Sequence, residues 1–292
     1  MIHNDFESTA GSLPVNSVIA MQLPETEIKY HAPDGSVWLR SGHCELDFAQ
    51  YPDASRHLYL PAAVMSGAPS GDLSLTYASG YIFFAAQNNK IVYRVDENFE
   101  GEIESFDVSA HVAYVTALTF DGTHILIYDY NNANIHRFTT NLEHISQFRF
   151  SQNFGCRDFT YDGEFIWVLS ASQTGNQLSL TSYTKTGQYM STIPNIDIYA
   201  SGLAYHEGGF YISIHNHSDI KKYDKLGAIV PGESIKPKIY SSGQFRGLAS
   251  NGNGGVYVSR YGDGKITLFK KGIGTIQAQE SNTELPYYMR IK

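Results

Sequence analysis

The sequence predicts an all-β fold, a β-propeller, and three observations carry that prediction. Glycine-led turns run straight into short strands of aromatic and β-branched residues at six places, from Gly35-Ser-Val-Trp-Leu to Gly255-Val-Tyr-Val. The intervening copies begin at Gly80, Gly122, Gly163 and Gly209, so the gaps are 45, 42, 41, 46 and 46 residues. A period in that range with strand content is the mark of one four-stranded blade per repeat. Third, 21 Tyr and 16 Phe within 42% hydrophobic content supply the half-buried strands that such blades need.

Residues 115 to 148 display the unit in order. Val115-Thr-Ala-Leu-Thr-Phe120 reads as a first strand and Asp121-Gly122 as a tight turn, because glycine reaches positive φ freely and aspartate tolerates it. His124-Ile-Leu-Ile-Tyr128 is a second strand, Asn131-Asn-Ala-Asn134 a loop, Ile135-His-Arg-Phe138 a third strand and His144-Ile-Ser-Gln-Phe148 a fourth. The same order returns after Arg157, Gly202 and Arg246, and the third strand ends on an aromatic residue at Tyr93, Phe138, Tyr183, Tyr223 and Phe269. Five repeats, from about Leu73 to Ala278, follow from this pattern. The Gly35 copy is looser, so the expected total is six blades, with five blades plus an N-terminal cap as the alternative. Closure is assigned to the alternating C-terminal stretch Tyr287-Tyr-Met-Arg-Ile-Lys292, pairing beside a strand from residues 27 to 42. Residues 1–26 form an N-terminal docking or extended segment and 27–292 the propeller.

Charge and cysteine content narrow the function classes. A net charge of −8 repels phosphate backbones, which argues against nucleic-acid binding. Cys44 and Cys156 lie in different repeats and make neither a metal spacing nor a disulfide framework. The start Met1-Ile-His-Asn-Asp-Phe-Glu has no signal-peptide pattern, and no stretch reaches the ~18 apolar residues of a membrane helix. The expectation is a chain made and folded in a bacterial cytoplasm.

Trp38-Leu-Arg-Ser-Gly42 with Tyr51-Pro-Asp-Ala54, and the ending Leu285-Pro-Tyr-Tyr-Met-Arg-Ile-Lys292, together resemble the frame of a group of bacteriophage and prophage tail proteins. Glu284 stands where that group usually has glycine. Such proteins often carry propeller repeats close to Ser105-Phe-Asp-Val-Ser-Ala110 and Val115-Thr-Ala-Leu-Thr-Phe-Asp-Gly122. The resemblance implies a non-enzymatic tail fibre or tip component, working in the virion. Its implied partners are other tail proteins through the N-terminal segment and a host-surface polysaccharide or protein, with a homo-oligomer allowed. A lactonase-like hydrolase or glycan depolymerase, and a cellular interaction scaffold of the NHL type, are the alternatives.

Candidate ligand residues come from the loops between second and third strands and between blades, which a propeller gathers on one face. Aromatic rings stack on sugars and amides bond their hydroxyls, which selects Tyr128, Tyr130, Asn131 and Tyr261. Arg157 and Arg246 occupy matching first-strand positions, with Thr116 and Ser201 in the corresponding places of the other repeats, and could hold a carboxylate or phosphate. His215-Asn-His217 is a tight histidine pair. It has no evident third ligand, so no metal or cofactor site is predicted. No catalytic residues are predicted: Asp158 is the lone acid at the first strands, whereas a glycosidase needs two carboxylates about one bond.

Overall fold

The computed structural model describes residues 62–152, 155–170, 178–197, 199–214, 220–230, 235, 245–262 and 264–270 with their side chains. It describes the backbone alone at 18–20, 29–31, 37–43, 59–61, 171, 271 and 286–290. Four strands precede the repeats: β1 (Val18–Ala20), β2 (Lys29–His31), β3 (Val37–His43) and β4 (Tyr59–Ser66). Blade 1 is β5 (Leu73–Ala78), β6 (Tyr81–Ala86), β7 (Ile91–Asp96) and β8 (Glu104–Asp107). Blade 2 is β9 (Val115–Phe120), β10 (Ile125–Asp129), β11 (Asn134–Phe138) and β12 (His144–Phe148). Blade 3 is β13 (Cys156–Tyr161), β14 (Ile166–Ala171), β15 (Leu178–Tyr183) and β16 (Tyr189–Ile196). Blade 4 has β17 (Ala200–His206), β18 (Gly209–Ile214) and β19 (Ile220–Tyr223), with single bridges from Ile229 and Ile235 on its outer edge. Blade 5 has β20 (Phe245–Ser250), β21 (Gly255–Arg260) and β22 (Lys265–Lys271), completed by β4. Among the described residues no helix is long and apolar enough to cross a membrane.

The fold is a β-propeller, and its blades number five rather than six. The first strands β5, β9, β13, β17 and β20 adjoin in turn around the axis, and β20 returns to β5. Each of the five junctions holds its own apolar cluster. Phe83, Leu118 and Ile127 lie between blades 1 and 2, Tyr128, Phe159 and Val168 between 2 and 3, and Trp167, Leu180 and Phe210 between 3 and 4. Tyr211, Phe245 and Val256 lie between 4 and 5, and Leu75, Phe84 and Tyr257 between 5 and 1. Sheet faces that must bury both sides find two neighbours only in a closed ring.

Closure differs from the expected one. The outer strand of blade 5 is β4, antiparallel to β22 from Tyr59↔Lys271 to Ser66↔Lys265. The C-terminal strand β23 (Pro286–Arg290) does pair beside a strand of residues 27 to 42, as expected, namely β3, and also with β1, but in a sheet ordered β1-β23-β3-β2, outside the five blades. The Gly35 hairpin is therefore real as a hairpin, Lys29–His31 pairing Val37–Leu39, yet it builds no blade. Its remaining neighbours come from the chain ends, and the strand that precedes the regular repeats is taken by blade 5.

The first strands present their inner edges to the axis, and an unpaired edge leaves N–H groups to be satisfied. Side chains from the adjoining blade do this. Ser74 Oγ accepts from Leu118 N at 2.8 Å, Asp158 Oδ2 from Leu203 N at 2.8 Å, and Thr160 Oγ1 from Tyr205 N at 3.0 Å. Where blades 4 and 5 approach their successors, glycine replaces a side chain. A Cβ on Gly202 would sit 1.6 Å from Arg246 O, and one on Gly247 2.2 Å from Leu73 O. Buried Ser213 and Ser259 take over the bonding there, each accepting from the neighbouring glycine N–H at 2.8 Å.

Candidate functional site

The ring has two faces. On the upper face the first strands begin, and the loops between second and third strands meet the linkers between blades. Asn88 N donates to Val115 O at 3.0 Å, Val115 N to Asn89 O at 3.1 Å, and Tyr130 N to Tyr114 O at 3.2 Å. Four tyrosines on these loops and linkers, Tyr114, Tyr130, Tyr199 and Tyr261, are 38% to 62% exposed. Asp129 holds two of them in place. Fully buried, it accepts from Ala113 N (2.9 Å) and Tyr114 N (3.2 Å) on the linker, and from Asn131 N (3.2 Å) and Asn132 Nδ2 (3.0 Å) on the loop.

The arginines occupy a recurring irregularity. In blades 2 to 5 the pairing of first with second strand shifts at the start, between Val115 and Ala117, Cys156 and Asp158, Ala200 and Gly202, and Phe245 and Leu248. The residues that the register skips include Thr116, Arg157, Ser201 and Arg246. A bulge of this kind re-aims its side chain out of the ladder. Arg246 Nε lies 2.9 Å from Asp72 Oδ1 of blade 1, and its guanidinium stands 5.2 Å from the centre of the Tyr261 ring. Arg157 is exposed and donates through Nη1 to Ala200 O of blade 4 at 3.1 Å.

The structure thus brings Arg157, Arg246, Tyr130, Asn131 and Tyr261 to one face. Tyr128 does not join them: it is 1% exposed and packs between blades 2 and 3, because its strand position points into the junction. His215 and His217 lie outside the described residues. Tyr114 and Tyr199 were not singled out from sequence, although each immediately precedes a first strand, a position that fixes it on this face.

Below this rim the axis is crossed by side chains. Ser74 of blade 1 donates to Asp158 Oδ1 of blade 3 at 3.2 Å. Blades 1 and 3 are not neighbours, so this bond spans the middle of the ring. Asp158 Oδ1 also accepts from Phe159 N at 3.0 Å. Burial pushes the Asp158 carboxyl up to about 8, against the opposing pull of these donors. Cys156 is a buried free thiol that burial likewise raises.

The lower face, where the first strands end, holds a cavity of about 70 Å³ lined from all five blades, including Tyr77, Phe120, Tyr161, Tyr205 and Ser250. Its surroundings are braced between blades: Lys185 Nζ of blade 3 donates to Asp121 O of blade 2 at 2.6 Å, and Lys225 Nζ of blade 4 bonds Asp162 Oδ2 of blade 3 at 2.8 Å. The Asp162-Gly163 turn is closed by Asp162 Oδ1 accepting from Glu164 N and Phe165 N at 2.9 and 2.7 Å. The Asp162 carboxyl is held below the usual carboxylate range by its Lys225, Phe165, Glu164 and Trp167 donors, which outweigh the raising effect of burial.

No protein-family model matches the chain, and no curated protein matches it. Among solved structures it is similar to glutaminyl cyclase from Myxococcus xanthus, with a TM-score of 0.58 at 12% identity over 75% of this chain and 99% of that one. It is also similar to the β-propeller domain of Cps50 (Swd1) from Myceliophteria thermophila, with a TM-score of 0.46 at 7% identity over 73% and 99% of the two chains. Virginiamycin B lyase from Staphylococcus aureus gives 0.41 at 16% identity over 85% and 83%. At such identities the likeness is one of fold, and the enzyme names among these neighbours transfer no activity to this chain.

Proposed function

We propose that this chain is a non-enzymatic component of a bacteriophage or tailocin tail, whose propeller contacts a glycan of the host surface through its upper face. The observation that carries the reading is the pairing of its two framing motifs. Trp38-Leu-Arg-Ser-Gly42 lies on β3 and Tyr287-Tyr-Met-Arg290 on β23, and these strands pair at Tyr288↔Arg40, Met289↔Leu39 and Arg290↔Trp38. The segments that resemble tail proteins therefore make one sheet of their own, apart from the blades. An attachment frame bearing a separate recognition head has this organisation.

The rim supports the recognition half of the proposal. Four exposed tyrosines supply stacking surfaces, and Asn131 and Arg157 supply donors beside them. The non-enzymatic half rests on Asp158. A general acid or nucleophile must reach its substrate, whereas this carboxyl is buried and its oxygens are engaged by Ser74, Phe159 and Leu203.

Immunogold labelling of intact particles with an antibody to this chain tests the assignment. Labels at the tail tip or fibres are the expected result. A chain that is absent from purified particles overturns it.

A further inference from the structure

We propose that the saccharide taken by the upper face is anionic, and that Arg157 is the residue that selects it. This rests on the glycan reading of that face and adds the chemical class of ligand. The repeats provide an internal control. At the bulge of blade 3, Arg157 Nη1 bonds Ala200 O, the first residue of the next first strand, at 3.1 Å. At the matching bulge of blade 4, Ser201 Oγ reaches Phe245 O, again the first residue of the next first strand, at 3.2 Å. A serine therefore suffices to strut one blade to the next. The guanidinium of Arg157 exceeds that need by a full charge and by its remaining N–H donors.

The matching arginine of blade 5 shows what a compensated guanidinium looks like in this ring. Arg246 faces the Asp72 carboxylate at 2.9 Å and the Tyr261 ring at 5.2 Å. Among the described residues no carboxylate lies within ion-pair distance of Arg157, which stays exposed beside the axis. On a chain of net charge −8, this leaves a local cationic spot on the face that carries Tyr114, Tyr130, Tyr199 and Tyr261. A guanidinium edge offers two parallel N–H donors and matches a carboxylate or a phosphate oxygen pair. The tyrosines supply the sugar-ring contacts and Arg157 the anion contact, so a uronic-acid or phosphate-bearing glycan fits both.

The test uses a galacturonate hexamer and the same hexamer fully methyl-esterified, which differ only in charge, together with a hexose-phosphate oligomer as the phosphate-bearing glycan. Calorimetric Kd values are measured for the wild type and for Arg157→Ser, which keeps the strut chemistry of Ser201, with thermal unfolding as the check on folding. If Arg157→Ser fails to fold, Arg157→Gln replaces it. At least one charged oligomer should bind about ten- to a hundredfold more tightly than the ester, and Arg157→Ser should lower it to the level of the ester. Preference for the galacturonate or for the phosphate oligomer tells the two sources of charge apart. Equal affinity for charged and esterified hexamers overturns the inference and leaves the glycan reading standing. A failure of all three to bind removes the glycan reading itself.

Discussion

Ser74 and Asp158 meet across the middle of the ring, the serine hydroxyl donating to the carboxyl at 3.2 Å from a blade that is not its neighbour. Through Leu118 N on Ser74 and Leu203 N on Asp158, this one bond ties four blades together. Ser74→Ala leaves Leu118 N and Asp158 short of a partner in a buried place. It should cost about 1–3 kcal/mol, measured by urea denaturation. A cost indistinguishable from zero contradicts a structural role for the bridge.

The same carboxyl sets a pH dependence. Its folded value of about 8 lies above the ordinary 3.8. Its contribution to stability is therefore fully present below the unfolded value and is lost as pH rises through the folded one. The difference in unfolding free energy between the wild type and Asp158→Asn should fall from pH 4 to pH 8, by no more than about 1.4 kcal/mol per unit. A flat difference means that Asp158 is not displaced.

Two histidines of a cluster of three, His136 and His144, give the opposite slope. His111 stacks on His144 with ring centres 3.9 Å apart, and His144 Nε2 lies 3.3 Å from His136 Nδ1. Desolvation, with His144 and His111 nearby, holds His136 below the usual imidazole range against the pull of Asp129. Desolvation and His111 do the same to His144. For these groups stability is present above the unfolded value and is lost as pH falls through the lower folded values. Imidazole NMR titrations should place both midpoints under that of a free histidine. Midpoints at or above the free value contradict the packing.

Gly202 tests how closely the blades approach. Since a Cβ there meets Arg246 O at 1.6 Å, Gly202→Ala must push blades 4 and 5 apart. A loss of about 2–4 kcal/mol is expected in chemical denaturation, at the severe end for a single substitution.

Asp129 should act on the rim alone. Asp129→Asn turns one acceptor into a donor that faces backbone N–H groups of the linker or of the loop. The ring should stay folded at a cost of about 1–3 kcal/mol, and protection from hydrogen exchange should fall at residues 112–114 and 130–132. Unchanged protection there contradicts its role in placing Tyr114 and Tyr130.

Much of the fold is legible because its signals are local. Asp121-Gly122 and Asp162-Gly163 fix hairpins by the aspartate side chains, and short continuous runs of aliphatic and aromatic residues mark the second strands that follow them. Closure is not local. Tyr59–Ser66 pairs with Lys265–Lys271 about two hundred positions later, and nothing in either stretch names its partner. The Gly35 hairpin misled the blade count because a hairpin has the same turn chemistry inside a blade or outside one. At the rim, matching positions located Arg157 and Arg246. Loop composition selected Tyr128, which lies on β10, a strand buried on both faces between blades.

Retention on surface polysaccharide extracted from candidate host bacteria tests the central claim most directly. The wild-type chain should bind the polymer and release no oligosaccharide. A variant with Tyr114, Tyr130, Tyr199 and Tyr261 all changed to Ser should fold and fail to bind. Oligosaccharide release, or equal binding by the variant, would contradict recognition by a non-enzymatic tyrosine-lined face.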